Sequence, residues 1–226
     1  MSAGVLQVMD VGRQAYAPVM ALQETLAAER GRGAIPDTLI LVEHEPVYTH
    51  GRRQVDQHVV ASAEQLLRLG IDVVHTTRGG DVTYHGPGQL VGYPILDLGA
   101  RGEGAVWYVG QLERVIIATL ATFGIEAGTD PANRGVWVGG NKIAAIGVRI
   151  SKKITQHGFA LNVCPDMSHY AGIVPCGLHD RGVTSLHLLR EGAGMEAVKG
   201  RLLREFQRLF GYEAVRPAAA PQVVSD

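Results

Sequence analysis

Only two cysteines, Cys164 and Cys176, occur in 226 residues, so no disulfide framework can staple this chain. In a reducing compartment each is expected to be a free thiol. No stretch approaches the roughly 18 apolar residues that a membrane span requires, and no basic segment followed by an apolar core opens the chain as a secretory signal would. A cytoplasmic protein without a membrane partner is therefore expected. Charge of one sign is also lacking. With 21 Lys and Arg against 22 Asp and Glu, the net charge is −1, and no global cationic field is available for nucleic acid. Neither G-x-G-x-x-G nor G-x-x-x-x-G-K-[ST] is present, so nucleotide binding is not signalled. The two cysteines stand twelve positions apart and lack the close pairing of a structural zinc site, and His157, His169 and His179 do not supply it. No metal is expected.

What remains is a chain with 46% apolar residues, long enough to bury one sizeable core. Residues 16–30 read as a helix, with Pro18 in its first turn and Gly31-Arg32-Gly33 as its stop. Residues 38–43 read as a strand. Ser62 followed by Gln65 resembles a capping box, Leu66, Leu67 and Leu69 give an apolar stripe, and Gly70 closes that helix. Strands are expected at 71–77 and 89–98, with Pro94 placing the second at an edge or a bulge. The longest helix is expected at 105–123. Strands at 136–138, 142–150 and 154–163 follow, with a turn at Gly139-Gly140-Asn141. An amphipathic helix at 195–210 ends at Gly211. This mixed order indicates an α+β, sandwich-like single domain over 1–213. The Ala- and Pro-rich tail, 214–226, is expected to be disordered.

The segment 78–89, Arg-Gly-Gly-Asp-Val-Thr-Tyr-His-Gly-Pro-Gly-Gln, combines conformational licence with ionisable side chains. Its four glycines and Pro87 let the backbone turn and approach a ligand closely; a plain surface hairpin is the other reading. Cys176 sits in Val-Pro-Cys-Gly, where Pro175 stiffens the approach and Gly177 leaves the thiol side open. It is either a nucleophile or a small buried hydrophobe. Cys164 fits the buried role better. A reactive thiol needs a cation or base beside it. Lys142, which opens an apolar, glycine-bearing strand, is one such partner, unless it reaches out to solvent. Arg149, Lys152 and Lys153 form a short basic stretch, either a docking patch for an acidic protein or a solvated strand end.

Four ordered motifs, at 78–89, 140–149 (Gly-Asn-Lys-Ile-Ala-Ala-Ile-Gly-Val-Arg), 157–163 (His-Gly-Phe-Ala-Leu-Asn-Val) and 175–178 (Pro-Cys-Gly-Leu) with Val-Thr-Ser-Leu at 183–186, resemble the lipoyl(octanoyl) transferase family. The resemblance implies the fold of the biotin and lipoate protein ligases: an α+β (α/β) domain with a larger mixed sheet and a smaller sheet flanked by helices. It also implies the reaction. An octanoyl group would pass from octanoyl-acyl carrier protein, through a thioester on Cys176, to a lysine of a lipoyl domain, with Lys142 lowering the thiol's pKa. The acceptors would be the E2 subunits of 2-oxoacid dehydrogenases and the glycine cleavage H protein. Substrate contacts would fall on Arg78, Gly79, Gly80, Asp81, Val82, Thr83, Tyr84 and His85, on Ala145, Ile146 and Gly147, and on Gly158, Phe159 and Ala160. Exchange of one thioester for another is nearly balanced and amide formation runs downhill, so neither ATP nor a metal is expected as cofactor. His85 is open between a donor to the carbonyl and a structural histidine. The rival readings are an ATP-dependent lipoate or biotin ligase of the same fold and a non-catalytic acyl-binding protein. The coexistence of Cys176 and Lys142 separates them, since binding alone needs neither.

Overall fold

Strand β2 (Thr38–His44) is buried along almost its whole length because both its faces are covered. In the computed structural model, which describes residues 4–52, 58–174 and 181–219, Leu39 and Leu41 point into one apolar core while Ile40 and Val42 point into a second on the other face. Its neighbours are β1 (Val5–Gln14), parallel to it, and β6 (Gln89–Ile95), antiparallel. The ladder continues through β10 (Ile154–Asn162), β9 (Asn141–Ser151), β8 (Val136–Val138) and β7 (Gly128–Thr129), all antiparallel. With β11 (Ala214–Pro217) beside β1, the order is β11-β1-β2-β6-β10-β9-β8-β7 among the described residues.

Helices cover the two faces. α1 (Tyr16–Gly31) lays Val19, Leu22 and Leu26 on one side. α4 (Ala105–Ala121) and α6 (Met195–Phe210) cover the other with Leu112, Ile116, Leu120, Leu202 and Phe206. α3 (Leu98–Arg101) and α5 (Leu186–Leu189) are short connectors. Three strands, β3 (Val47–His50), β4 (Asp72–His75) and β5 (Thr83–His85), form a separate small sheet in the order β4-β3-β5. Its core is Tyr48, Ile71, Val82, Tyr84 and Ile173. α2 (Ala63–Leu69) starts with both halves of the Ser62–Gln65 capping box and ends at Gly70 in the left-handed region. The larger and smaller sheets flanked by helices are the architecture that the motifs implied.

Several local expectations change. The glycine-rich segment is not one loop: its Thr83–His85 part pairs antiparallel with β3. Pro94 lies in a central strand, not at an edge. The β6–β10 ladder ends at Gly92 paired with Phe159, so the missing N–H of Pro94 interrupts no bond on that side. Leu67 and Leu69 of α2 face solvent and only Leu66 packs inward. The tail begins with order rather than disorder, since Val5 through Val8 pair in parallel with Ala214 through Pro217. Residues 220–226 lie outside the described residues.

Candidate active site

The β9–β10 ribbon carries the floor of a cleft. Antiparallel register sets Ala145 opposite Ala160 and Gly147 opposite Gly158, and cross-strand partners share one face of a sheet. All four residues on that face are small. Gly158 is required here by close approach: a Cβ would collide with the carbonyl oxygen of Gly92 and with Pro94. The roof comes from the glycine-rich segment. β8 pairs with β9 only as far as Ala144, and Gly79 N–H donates to the carbonyl of Val148 (3.0 Å). A Cβ on Gly147 would stand 3.0 Å from the Gly79 carbonyl oxygen and 3.2 Å from Cδ of Arg78. The buried Arg78 guanidinium is anchored, donating to Oγ1 of Thr49 (2.9 Å), to the Thr49 carbonyl and to the Gly79 carbonyl (3.2 Å).

The resulting cleft is open to solvent. Of the segments on which substrate contacts were expected, every residue except Tyr84 lines it. Tyr84 is turned instead into the core of the small sheet, where its hydroxyl meets Nδ1 of His169 at 2.7 Å and burial raises its pKa. Lys142, buried at the start of β9, also lines the cleft. Its Nζ lies 4.9 Å from the centre of the Trp137 ring, a cation–π contact, and its main chain is bonded to Gly182 and Thr184. Cys176 lies outside the described residues. On either side of its segment, Val174 N–H donates to the carbonyl of His58, and Val183, which lines the cleft, bridges to Lys142. Cys164 is exposed just past β10, not buried as expected, and partial burial together with Glu43 raises its thiol pKa.

Sequence reading missed Tyr16, Tyr93, Arg134, Asn162, Tyr170 and His157 as cleft residues. His157 and Asn162 stand in the third motif, which was the available signal; Tyr16 and Tyr93 carry none. Tyr16, Tyr93, His157 and Asn162 are buried, whereas Arg134 is exposed at the rim. Gln89 Nε2 donates to the Tyr84 carbonyl, Oδ1 of Asn162 and the Tyr170 hydroxyl. That orients the amide and makes its oxygen the acceptor from His85 Nδ1–H at 2.7 Å. Asp81, the buried carboxylate of the loop, is paired with Nδ1 of His58. Arg149, Lys152 and Lys153 sit at the opposite end of the β9–β10 ribbon from Lys142. Arg149 is seven positions along from Lys142, roughly 23 Å along a strand. Among the described residues no three His, Cys, Asp or Glu side chains are grouped to hold a metal, and no helix is long and apolar enough to cross a membrane.

The family model for the lipoyl protein ligase A/B catalytic domain matches residues 15–207. An octanoyltransferase of Solibacter usitatus is 49% identical over 210 residues, covering 93% of this chain and 95% of that protein. The chain belongs to the octanoyltransferase branch of this family. The mitochondrial octanoyltransferase of Arabidopsis thaliana is 40% identical over 230 residues, 100% of this chain and 97% of that one. Among solved structures, the bipartite lipoate protein ligase of Thermoplasma acidophilum superposes with a TM-score of 0.73 at 16% identity, covering 99% of this chain and 89% of that one. A biotin protein ligase from Aquifex aeolicus superposes with a TM-score of 0.54 at 12% identity, over 90% and 70% of the two chains. At such identities the likeness carries the fold alone. In this chain the cleft lies between the two sheets.

Proposed function

We propose that this chain is an acyltransferase that moves an octanoyl group from octanoyl-acyl carrier protein to a lysine of a lipoyl domain, by way of a thioester on Cys176. The observation that carries the reading is the narrow trench of Ala145, Gly147, Gly158 and Ala160, roofed by Arg78 and Gly79, with Lys142 lining the same cleft. An alkyl chain held in this cleft gains about 0.8 kcal/mol for each methylene buried. The strong likeness to octanoyltransferases supports the same reading.

In this scheme Cys176 rests as a thiolate paired with the Lys142 ammonium. The thiolate sulfur attacks the carbonyl of the donor thioester, and the new C–S bond forms as the carrier's C–S bond breaks. The departing carrier thiolate takes the proton from Lys142. The neutral amine of the acceptor lysine then attacks the acyl-Cys176 carbonyl. As the C–N bond forms, Lys142 takes the amine's proton, and the C–S bond breaks to restore the thiolate–ammonium pair. Energy from ATP is not needed, because thioester exchange is nearly balanced and amide formation is downhill. The acceptors of this reading are lipoyl domains of 2-oxoacid dehydrogenase E2 subunits and the glycine cleavage H protein.

The test is incubation with octanoyl-acyl carrier protein alone, without ATP, followed by intact and peptide mass measurement. An octanoyl group on Cys176 that is absent from Cys176→Ser is the expected result. A wild type that never acquires the group, or a Cys176→Ser protein acylated to the same level at another residue, overturns it.

A further inference from the structure

The trench has a definite far end, and its composition changes there within one step. Same-face positions along the ribbon advance by two residues, roughly 6.8 Å. Past the Ala145–Ala160 and Gly147–Gly158 pairs, the next pair on that face is Arg149 with Gln156. Two long polar side chains thus replace four small ones. They are tied across the ribbon, Arg149 Nη1 donating to Gln156 Oε1 at 3.3 Å, and the same nitrogen lies 3.4 Å from Oγ1 of Thr77. Thr77 Oγ1 is in turn 3.3 Å from Nε2 of His157. His157 adopts φ +55° in mid-strand, a conformation a side-chain-bearing residue rarely takes. Its N–H is pinned by Oε1 of Gln23 on α1 (2.8 Å). Beyond this bar, a second groove opens beside Gly31, Arg32, Lys152 and Ile154, and Arg149 and Gln156 line that groove but not the first cleft.

We propose that the Arg149–Gln156 pair, backed by Thr77 and His157, is the end stop that sets the longest acyl chain the cleft accepts. The inference rests on the acyl-transfer reading above. A chain longer than the trench must pass the Arg149–Gln156 pair, break its hydrogen bond and bury the freed polar groups against methylenes. Removing the pair joins the trench to the second groove and gives a longer chain somewhere to go.

The experiment compares wild type with Arg149→Ala/Gln156→Ala, using octanoyl-, decanoyl-, dodecanoyl- and tetradecanoyl-acyl carrier protein as donors. The dodecanoyl to octanoyl ratio of kcat/KM is expected to rise by at least about tenfold in the double variant, with octanoyl transfer retained. Lys152→Ala, which trims the second groove without touching the bar, is expected to keep the wild-type ratio. An unchanged ratio in a double variant that still transfers octanoyl groups overturns the end stop. Displacement of a bound fluorescent fatty acid by octanoate and dodecanoate gives a readout free of turnover. If wild type transfers no acyl group at all, the transferase reading falls, and this binding ratio decides: a shift toward dodecanoate in the double variant sustains the stop, and no shift overturns it. A double variant that loses all transfer is judged by the same binding ratio.

Discussion

Three buried histidines crowd the walls around the cleft, and burial decides what each can do. His44 and His157 have pKa values pushed down to about 4, in each case by burial first, and His85 is driven well below its ordinary value by burial and then by His44. All three are neutral at pH 7. For His85 the tautomer follows from its partner: Gln89 Oε1 can only accept, so the proton is on Nδ1 and Nε2 is an acceptor. Of the two roles open for His85, donation to an oxyanion is thereby disfavoured, and Nε2 can take a hydrogen bond from an incoming amine or thiol. His44 donates from Nδ1 to the Gln14 carbonyl and accepts the Tyr93 hydroxyl at Nε2 (2.8 Å). Its burial makes a pH prediction. Unfolded, the ring takes a proton near pH 6.5, whereas folded it takes one only near 4. Between these values the unfolded chain binds more protons, so stability is fully present above pH 6.5 and falls toward pH 4. The loss is on the order of 3 kcal/mol for this one group. Urea midpoints are expected to be flat above about pH 7 and to drop across that window, with a shallower drop in His44→Gln. A variant whose drop matches wild type contradicts the assignment to His44.

At the scale of the element, the β9–β10 hairpin shows how local chemistry and pairing divide the work. Its two-residue turn holds Lys152 at φ +47° and Lys153 at φ +68°, a left-handed geometry that Asn and Gly adopt at far lower cost than lysine. Lys152→Asn with Lys153→Gly is therefore expected to stabilise the protein by about 1–2 kcal/mol, read as a higher urea midpoint at unchanged slope. No gain in midpoint contradicts it. Element types and their ends were largely legible: α6 runs from Met195 to Phe210, and the Gly139–Gly140 turn and the α2 capping box stand where the residues placed them. These signals are carried by neighbours three or four positions apart. β1, β3 and β5 escaped the reading. β5 is three residues long and exists only because β3 lies beside it, a partner that no local window contains.

For the molecule as a whole, Asp37 ties distant parts of the chain together. Its buried carboxylate accepts from Arg30 at the end of α1 (2.8 Å), from the N–H of Asp97 (3.1 Å), from Arg101 of α3 (3.2 Å) and from the Tyr212 hydroxyl after α6 (2.8 Å). Removing one partner of a buried ionic network leaves charges uncompensated. Asp37→Ala is expected to destabilise the fold by about 3–5 kcal/mol and to lower the melting temperature by roughly 6–20 °C. A melting temperature within a degree or two of wild type counts against this role. Nothing around Asp37 in the sequence marks it, because its partners come from three separate stretches, Arg30, Asp97–Arg101 and Tyr212.

The sequence by itself determined which residues can be helix, strand or turn, where most of those elements stop, and, through four ordered motifs, the family and its two-sheet fold. Those properties depend on side-chain spacing and backbone licence over a few neighbouring positions. Tertiary structure alone decided that β6 is central despite Pro94 and that Tyr84 belongs to the core rather than the cleft. It also decided that small residues of β9 and β10 line one cleft with Lys142, and that three histidines are neutral. Each of these rests on register between distant strands or on burial, and both arise only when remote segments pack together.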